Sequence, residues 1–313
     1  MSRSVLRTSD AWYVLTDAGA VRVDTSATTT RELLADRAAV DAAASSGGPA
    51  VPVDELALVS PVTAPCRVVA QMTNYESHIR DSNMDPATVP LTFFRKSSGS
   101  ISGPHADVVR PAHVRFLDYE VEIGLVIGRD LPVGTDVTAG DLTDLVAGLV
   151  ITNDVSARDV QLPKTQFYEA KSYPTFTPVG PVLLLLDAGE FARFGELRLR
   201  LWVNGSVRQD STVADMVYQP LEALQALARF QQLQAGDLLL TGTPGGTALK
   251  APARPIELIG ALLPPHVKWK TFFRRQAANP DYLQDGDVME LAIGTPDGAL
   301  DLGRQRTVVR WAR

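Results

Sequence analysis

Two glutamates stand one residue apart inside an apolar run, and few folds can accommodate them. The segment Asp118-Tyr119-Glu120-Val121-Glu122-Ile123-Gly124 continues into Leu125-Val126-Ile127. The pattern predicts a strand, in which Glu120 and Glu122 face the same side. Two buried carboxylates on one face repel each other unless a cation neutralises them. The segment therefore indicates either a solvated edge strand or an interior strand at a cation site, and the apolar continuation favours the interior strand.

A third acid follows a second apolar run. Asp154 lies in Asn153-Asp154, which follows directly after Leu149–Thr152, where a buried strand would end, and such ends often carry functional groups. Three carboxylates without a neighbouring cysteine or histidine favour a hard cation, Mg²⁺ or Mn²⁺. Zinc is disfavoured because the histidines show neither HExxH nor HxH spacing. The four histidines are His78, His105, His113 and His266. In the same segment we expect Arg158 and Asp159 to form a structural ion pair.

The composition excludes several classes of protein. The 313 residues carry a formal charge of −6 and no basic block, so nucleic acid is not an expected partner. The single cysteine, Cys66, rules out an internal disulfide and is expected to be a buried apolar residue. No apolar run approaches the ~18 residues that span a bilayer, and the N-terminus lacks an apolar signal sequence. We therefore expect a cytoplasmic protein without a membrane partner.

Strand-like segments outnumber helical ones and do not alternate regularly with them. Residues 1–65 hold short strands, a helix predicted over Thr30–Ala44 and an extended linker at Val59–Pro65, which together predict a small N-terminal domain. Residues 66–313 form a larger, strand-rich body. This organisation predicts an α+β fold with a large mixed sheet system. Further predicted elements are strands over Leu145–Thr152, Pro181–Leu186 and Asp237–Thr241, a hairpin at Asn204-Gly205 and a helix over Leu221–Leu233.

A candidate general base lies in Asn74-Tyr75-Glu76-Ser77-His78-Ile79-Arg80-Asp81. On a helix, His78 and Asp81 are three residues apart and therefore neighbours. A carboxylate beside an imidazole fixes its tautomer and raises its basicity, as a general base requires. A surface His–Asp pair has the same spacing, so the pattern alone leaves both interpretations open.

Two further segments carry groups suited to negative charge. Lys171 stands among small, aromatic and proline residues, where it would stabilise an oxyanion or enolate, or simply lie at the surface. Thr241-Gly242-Thr243-Pro244-Gly245-Gly246 follows a predicted strand. Its backbone N–H groups would face an anion, or the segment is only a tight turn.

Five segments stand in a fixed order along the chain. They are Asn74-Tyr75-x-x-His78, Asp118-Tyr119-Glu120-x-Glu122-Ile123-Gly124, Asn153-Asp154-x-Ser156-Ala157-Arg158-Asp159-x-Gln161, Lys171-Ser172 through Thr177-Pro178-x-Gly180-Pro181, and Thr241-Gly242-Thr243-Pro244. In this order they resemble the fumarylacetoacetate hydrolase family, over about residue 66 to the C-terminus. The resemblance implies a mixed β-sandwich roll, a homodimer, and a catalytic domain that binds Mg²⁺, with Mn²⁺ or Ca²⁺ as alternatives.

The resemblance also implies roles for individual residues. Glu120, Glu122 and Asp154 would be the metal ligands, and His78 would be the general base with Asp81 as its acidic partner. The catalytic lysine would be Lys171, and the substrate would contact Tyr75, Arg95, Lys96, Ser97, Gln161 and Thr243. The family's usual Lys-Pro-Ser segment is Arg95-Lys96-Ser97-Ser98 here, so the cation for a substrate carboxylate is Arg95, Lys96 or both.

The implied activity is metal-dependent hydrolysis of a C–C bond in a 1,3-diketone or acylpyruvate. His78, assisted by Asp81, would activate water, and an enolate would leave. The alternative on the same scaffold is an oxaloacetate-type decarboxylase or an isomerase of 2-oxo acids, and a third hypothesis is a non-catalytic binding protein. The expected ligand is a small anion. Residues 251–282 are longer than the family's usual link, and would cover the site or a dimer interface, or form a packed surface excursion.

Overall fold

Strands form most of the structure, a computed structural model that describes residues 2–164, 166–187, 189–252, 256 and 262–312. Part of the long 251–282 segment therefore lies outside the described residues. The strands are β1 Arg3–Arg7, β2 Trp12–Thr16, β3 Gly19–Arg22, β4 Ala50–Val51, β5 Val68–Met72, β6 Thr92–Lys96, β7 Ile101–Ser102, β8 Val108–Arg110, β9 Leu117–Asp118, β10 Val121–Ile127, β11 Val146–Asn153, β12 Ser156–Ala157, β13 Thr177–Pro178, β14 Leu183–Leu185, β15 Arg198–Val203, β16 Ser206–Thr212, β17 Leu238–Leu240, β18 Val288–Gly294 and β19 Asp301–Trp311.

The α-helices are short and scattered between the strands. None of those in the described ranges combines the length and the apolar character needed to cross a bilayer. They are α1 Thr30–Ala35, α2 Arg37–Ser45, α3 Glu76–Asp81, α4 Leu142–Leu145, α5 Arg158–Gln161, α6 Pro220–Ala228 and α7 Pro265–Gln276.

The larger sheet has ten strands in the order β4-β3-β2-β1-β14-β11-β10-β17-β5-β6. The β17–β5 pair is parallel, whereas β10 and β17 run antiparallel, so the sheet is mixed. Strand β1 pairs with β14, with Val5 opposite Leu183. Residues 1–65 are thus joined to the body by backbone hydrogen bonds, and the boundary at residue 65 stays a prediction.

The second sheet has five strands in the order β16-β15-β18-β19-β8. Strands β15 and β16 form the predicted hairpin, with Asn204 and Gly205 at φ 50° and 77°. One face of β10, through Ile123 and Leu125, belongs to the same hydrophobic core as Leu199 of β15. Two sheets enclose this core, and the helices do not alternate regularly with the strands. The fold is therefore the predicted α+β sandwich roll.

The other face of the larger sheet belongs to a second core. Val126 of β10 and Val150 of β11 lie in it, together with Leu33 of α1 and Val40 of α2. The N-terminal helices therefore cover this face of the sheet.

The register of the two central strands brings the acidic residues together. Glu122 pairs with Thr152 and therefore lies beside the end of β11. Asp154 is the first residue after that strand. Gly124 allows the neighbouring strands to pack closely, because a Cβ there would lie 2.7 Å from Cγ2 of Val150. The carboxylates thus stand at the end of a buried, apolar strand pair.

Two predicted helices have different bounds. The single helix predicted over Thr30–Ala44 is divided into α1 and α2, because Asp36 has the non-helical angles φ −109° and ψ 42°. The helix predicted over Leu221–Leu233 is the shorter α6, and Leu233 instead forms a β-bridge with Leu131.

Candidate metal centre and active site

Three carboxylates meet where β10 begins and β11 ends. Glu120 precedes β10, Glu122 lies within it, and Asp154 follows β11. The backbone N–H of Asp154 donates to the carbonyl oxygen of Glu120 across 2.9 Å, which ties the two segments together. Each residue contributes a carboxylate oxygen to a group of atoms that lie within 4.8 Å of one another, and all three residues are buried. The acids singled out by the strand pattern thus form one cluster.

Two lysines neutralise part of this cluster. Nζ of Lys171 lies 2.6 Å from Oε2 of Glu120 and 2.6 Å from Oδ2 of Asp154. Lys96 forms a buried ion pair with Asp154 and donates to the carbonyl of Phe176 across 2.9 Å. Burial alone would lower the pKa of Lys171, but Asp154 and Glu120 raise it above its usual value. Lys171 is therefore a permanently charged ammonium group in this site.

Arg158 binds the acids from the start of α5. Its Nε lies 2.8 Å from Oδ2 of Asp118, and its Nη2 lies 2.5 Å from Oε1 of Glu120. The expected Arg158–Asp159 ion pair is absent, and Asp159 instead pairs with the exposed Arg115 at 3.6 Å. A guanidinium that is buried needs buried acceptors, and Asp118 and Glu120 supply them.

The cations set the protonation state of Glu120. Burial would raise the pKa of Glu120, but Lys171 and Arg158 outweigh it and lower the pKa to about 2. Glu120 is therefore an anion at every physiological pH.

Glu122 differs from its neighbours, because no ion pair to it occurs in the part of the chain that the structure describes. Its Oε2 accepts a 2.7 Å hydrogen bond from the backbone N–H of Gly242. Burial, followed by the charges of Asp154 and Glu120, raises the pKa of Glu122 well above its usual value. The close approach requires glycine, since Gly242 has φ +84° and a Cβ there would lie 2.8 Å from Cβ of Asn74.

The donor set fits a divalent cation. Glu122 is a buried carboxylate whose ionised form is penalised by its acidic neighbours, and a cation beside it would reverse that penalty. Carboxylate donors suit Mg²⁺, Mn²⁺ or Ca²⁺. Among the described residues the buried cluster has one more acid than base: the acids are Asp118, Glu120, Glu122 and Asp154, and the bases are Lys96, Arg158 and Lys171. Glu120, Glu122 and Asp154 would hold the ion.

The candidate base, His78, lies on α3 and lines the same cavity as Glu120, Glu122 and Lys171. Its Nδ1 is buried without a hydrogen-bond partner among the described residues. Burial lowers the pKa of His78, and the charge of Glu120 opposes this only in part. The imidazole is therefore neutral near pH 7 and free to accept a proton.

The structure does not bring the carboxylate of Asp81 to His78. Oδ2 of Asp81 accepts the backbone N–H of Gly246 at 3.0 Å, and its carbonyl accepts the N–H of Ala251 at 3.1 Å. Asp81 thus fastens the end of α3 to the glycine turn, and the role predicted for it as a partner of the base stays a prediction.

The two candidate cations on β6 point in opposite directions, because side chains alternate along a strand. Lys96 is buried at the acidic cluster, whereas Arg95 is exposed on the other face. Lys96 is therefore the cation near the acidic cluster, but neither Lys96 nor Arg95 lines the cavity.

The remaining predicted substrate contacts are divided between the cavity and the interior. Gln161 and Thr243 line the cavity, where Gln161 accepts from Arg158 at 2.8 Å and Thr243 accepts from Gln209 at 2.8 Å. Tyr75 is wholly buried in the core, and the N–H of Ser97 donates to the hydroxyl of Ser172 at 2.9 Å. Neither Tyr75 nor Ser97 lines the cavity.

The cavity over the cluster measures about 950 Å³. Sequence reasoning did not single out Phe94 and Phe167, which stack edge-to-face at 5.5 Å on its wall. Nζ of Lys171 lies 5.5 Å from the centre of the Phe94 ring. The alternation along β6 could have indicated Phe94, since it faces the same side as Lys96.

With this geometry in view, comparison with known proteins decides the family. The model of the fumarylacetoacetate (FAA) hydrolase C-terminal region matches residues 67–310. The chain belongs to the fumarylacetoacetate hydrolase family. The matched region includes both halves of the acidic cluster, the candidate base His78 and Lys171.

Curated relatives in the fumarylacetoacetate hydrolase family include two oxaloacetate tautomerases. The mitochondrial oxaloacetate tautomerase FAHD2A of Bos taurus is 35% identical over 203 residues, and Fahd2a of Rattus norvegicus is 34% identical over 202. Each alignment covers 64% of this chain and 63% of the relative. The chain thus spans less than two thirds of the length of these relatives. Both relatives are named as mitochondrial proteins. A cytoplasmic location therefore remains only an expectation for this chain.

Solved structures of similar fold cover the whole chain. A probable 2-hydroxyhepta-2,4-diene-1,7-dioate isomerase from Mycobacterium abscessus has a TM-score of 0.75 at 30% identity. A fumarylacetoacetate hydrolase from the psychrophilic Exiguobacterium antarcticum has a TM-score of 0.74 at 26% identity. In both comparisons all of this chain and all of the other chain are covered.

Proposed function

We propose that this protein is a divalent-metal-dependent tautomerase or isomerase of 2-oxo acids. The observation that carries the proposal is His78, a neutral imidazole with an unpartnered Nδ1 beside a buried acidic cluster. Relatives named oxaloacetate tautomerase and a structural neighbour named as an isomerase support the same class of reaction. This gives isomerisation precedence over the hydrolysis expected first from the sequence.

The environment of His78 favours proton removal from carbon over activation of water. The sequence favoured hydrolysis because Asp81, as an acidic partner, would raise the basicity of His78. In the structure the carboxylate of Asp81 contacts Gly246 instead. An imidazole with a lowered pKa is a weak base, and a weak base needs an acidic proton. In oxaloacetate the hydrogens on C3 lie between the C2 ketone and the C4 carboxyl group, which makes them more acidic than those of water.

In the proposed step, His78 removes a proton from C3 of the 2-oxo acid. The electron pair of the C–H bond forms a C2–C3 double bond, and the carbonyl electrons move to the C2 oxygen as an enolate. His78 then returns its proton to that oxygen, which gives the enol, or to another carbon of a conjugated substrate, which gives an isomer. No water is consumed, and the reverse sequence converts the enol to the ketone.

Charged groups of the chain stabilise the enolate. Lys171 lies in the cavity with its charge held by Glu120 and Asp154, so it is oriented before the substrate arrives. Phe94 and Phe167 reduce the water around this ammonium group, which strengthens its interaction with a developing anion. A divalent ion held by Glu120, Glu122 and Asp154 would supply Lewis-acid polarisation of the 2-oxo group.

Hydrolysis of an acylpyruvate or 1,3-diketone is the second candidate. The likeness to the Exiguobacterium antarcticum fumarylacetoacetate hydrolase, with a TM-score of 0.74, favours it. The two reactions differ in their use of water, because only hydrolysis breaks a C–C bond and adds a water oxygen to a product.

A product-resolved assay separates these functions. The protein with Mg²⁺ is incubated in ¹⁸O-labelled water with enol-oxaloacetate and, separately, with an acylpyruvate. We expect accelerated ketonisation of oxaloacetate and no labelled cleavage product. His78→Asn should abolish the acceleration, whereas His113→Asn is the matched control, since His113 is an exposed histidine that contacts Tyr173 outside the cavity. Labelled cleavage products without any tautomerisation would overturn the proposal in favour of hydrolysis.

A further inference from the structure

The cavity is much larger than a four-carbon acid requires. Its volume of about 950 Å³ lies near the upper end of the ~300–1,000 Å³ range of pockets that enclose drug-sized ligands. The acidic cluster and Lys171 occupy one part of it, and the cations Lys164, Lys250, Lys268 and Arg275 are spread along the rest of the wall. Much of the remaining wall is apolar, and Trp269 and Phe272 of α7 belong to it. The outer part of the cavity thus has room and a surface for more than a 2-oxo acid head.

Helix α7 turns one face toward this space. Lys268, Trp269, Phe272, Arg275 and Gln276 all line the cavity, and they stand at positions i, i+1, i+4, i+7 and i+8, which share one helical face. Lys270 and Arg274 fall on the other side and are exposed. The helix that lies within the long 251–282 segment is therefore a wall of the active-site cavity.

The same helix is fastened to the body of the protein. Phe273 stacks on Phe116 with 5.7 Å between the ring centres. The hydroxyl of Tyr282 donates to Oε1 of Gln276 at 2.9 Å, and Asn279 donates to the carbonyl of Ala248 at 2.8 Å just beyond the helix. These contacts hold the C-terminal half of α7 in place without any ligand.

Trp269 and Phe272 retain exposed apolar surface in this arrangement. Both are only partly buried, and their rings meet edge-to-face at 5.9 Å. An apolar group placed against them would lose contact with water, which is favourable in proportion to the area covered.

We infer that Trp269 and Phe272 form a subsite for an apolar substituent, and that the preferred substrate is a 2-oxo acid with an alkyl or aryl chain. The inference rests on the proposed function for the identity of the head group. The head lies at Glu120, Glu122 and Lys171, and the chain extends toward α7. Oxaloacetate, which has no apolar chain, would use only the first part of this site.

Binding of a homologous series tests the subsite. Isothermal titration calorimetry of the Mg²⁺-containing protein with pyruvate, 2-oxohexanoate and 2-oxooctanoate varies only the length of the chain. We expect the affinity to rise at least tenfold from pyruvate to 2-oxooctanoate, as the burial of several methylene groups predicts. Equal affinity along the series would overturn the inference.

Variants locate the effect on α7. In the Trp269→Ala/Phe272→Ala double variant, the ratio of the 2-oxooctanoate affinity to the pyruvate affinity should fall at least fivefold. The matched control, Lys270→Ala/Arg274→Ala, alters the opposite face of the same helix and should keep the ratio. Phe272→Leu, a milder variant with an intermediate expected ratio, serves if the double variant does not fold. An unchanged ratio in the Phe272 and Trp269 variants would contradict the inference.

The outcome is separable from that of the proposed function. Ketonisation of oxaloacetate reports on the head group alone. Tautomerisation without dependence on chain length would leave the proposed function intact and remove the subsite. An affinity that depends on chain length, without any tautomerisation, would support the subsite and overturn the proposed function.

Discussion

The carboxylate of Glu122 receives a 2.7 Å hydrogen bond from the backbone N–H of Gly242. This neutral donor only partly compensates a buried negative charge that lies beside two further carboxylates, and the pKa of Glu122 is raised accordingly. Glu120 and Asp154, by contrast, are paired with buried lysines or arginine. Glu122 is therefore the residue whose behaviour reports most clearly on a bound cation.

Replacing Glu122 by Gln should separate metal binding from folding. The amide oxygen can still accept from Gly242, and the amide cannot take on the negative charge that Asp154 and Glu120 disfavour. Without divalent ions we expect a melting temperature at or above that of the unaltered protein. With Mg²⁺ at a hundred times its Kd, the unaltered protein should gain about 2.7 kcal/mol, and Glu122→Gln should lose most of this gain.

Differential scanning calorimetry with and without Mg²⁺ measures both effects. Glu290→Gln is a suitable control, because Glu290 pairs with Arg304 in the second sheet, away from the cavity. A full Mg²⁺-dependent shift in Glu122→Gln would contradict the ligand role.

Metal binding should release a proton. The pKa of Glu122 is raised well above its usual value, so at any pH where the metal-free carboxyl is protonated the cation must displace that proton. Mg²⁺ affinity should therefore fall as the pH is lowered. Calorimetric titrations in two buffers of different ionisation enthalpy count the proton, and identical heats in both buffers would contradict this account.

The pH dependence of turnover should report His78. Its pKa is lowered from 6.5 by burial, so the neutral, proton-accepting form is present above that lowered value and is lost below it. We expect kcat/KM to be level near pH 7 and to fall about tenfold per pH unit on the acid side. Asp81→Asn should leave the position of this acid limb unchanged, because Asp81 contacts Gly246 and not His78. A limb displaced by Asp81→Asn would show that the two groups interact.

The two cations of β6 should differ sharply in their effect on stability. Lys96→Met removes one of the two buried lysines that pair with Asp154, and breaking a buried pair costs up to about 3–5 kcal/mol of unfolding free energy. Arg95→Met alters an exposed side chain and should change it by no more than about 0.5 kcal/mol. Urea denaturation monitored by circular dichroism measures both, and equal losses would contradict the buried Lys96–Asp154 pair.

The acidic cluster could be predicted from sequence because it depends on local geometry. A strand period of two places Glu120 and Glu122 on one face, and Asp154 follows an equally apolar strand. The α+β sandwich roll followed from the family resemblance and from the excess of strands over helices.

Contacts between distant segments could not be predicted in the same way. Arg158 precedes Asp159 in the chain, yet it turns inward at the start of α5 and binds Asp118 instead. His78 and Asp81 share a helix, but the carboxylate of Asp81 accepts a hydrogen bond from the backbone N–H of Gly246. In both cases the partner is distant in sequence, and nothing in the local pattern indicates it; Asp118 is moreover a buried carboxylate that must be paired.

The central claim is that His78 and the carboxylate cluster catalyse metal-dependent proton transfer at C3 of a 2-oxo acid. The most direct test is the rate of enol-to-keto conversion of oxaloacetate, followed by ultraviolet absorbance, in protein treated with EDTA and then titrated with Mg²⁺. The account predicts that EDTA abolishes the catalysed rate, that Mg²⁺ restores it, and that His78→Asn stays inactive at saturating Mg²⁺. A catalysed rate that is the same after EDTA treatment, or that survives in His78→Asn, would contradict it.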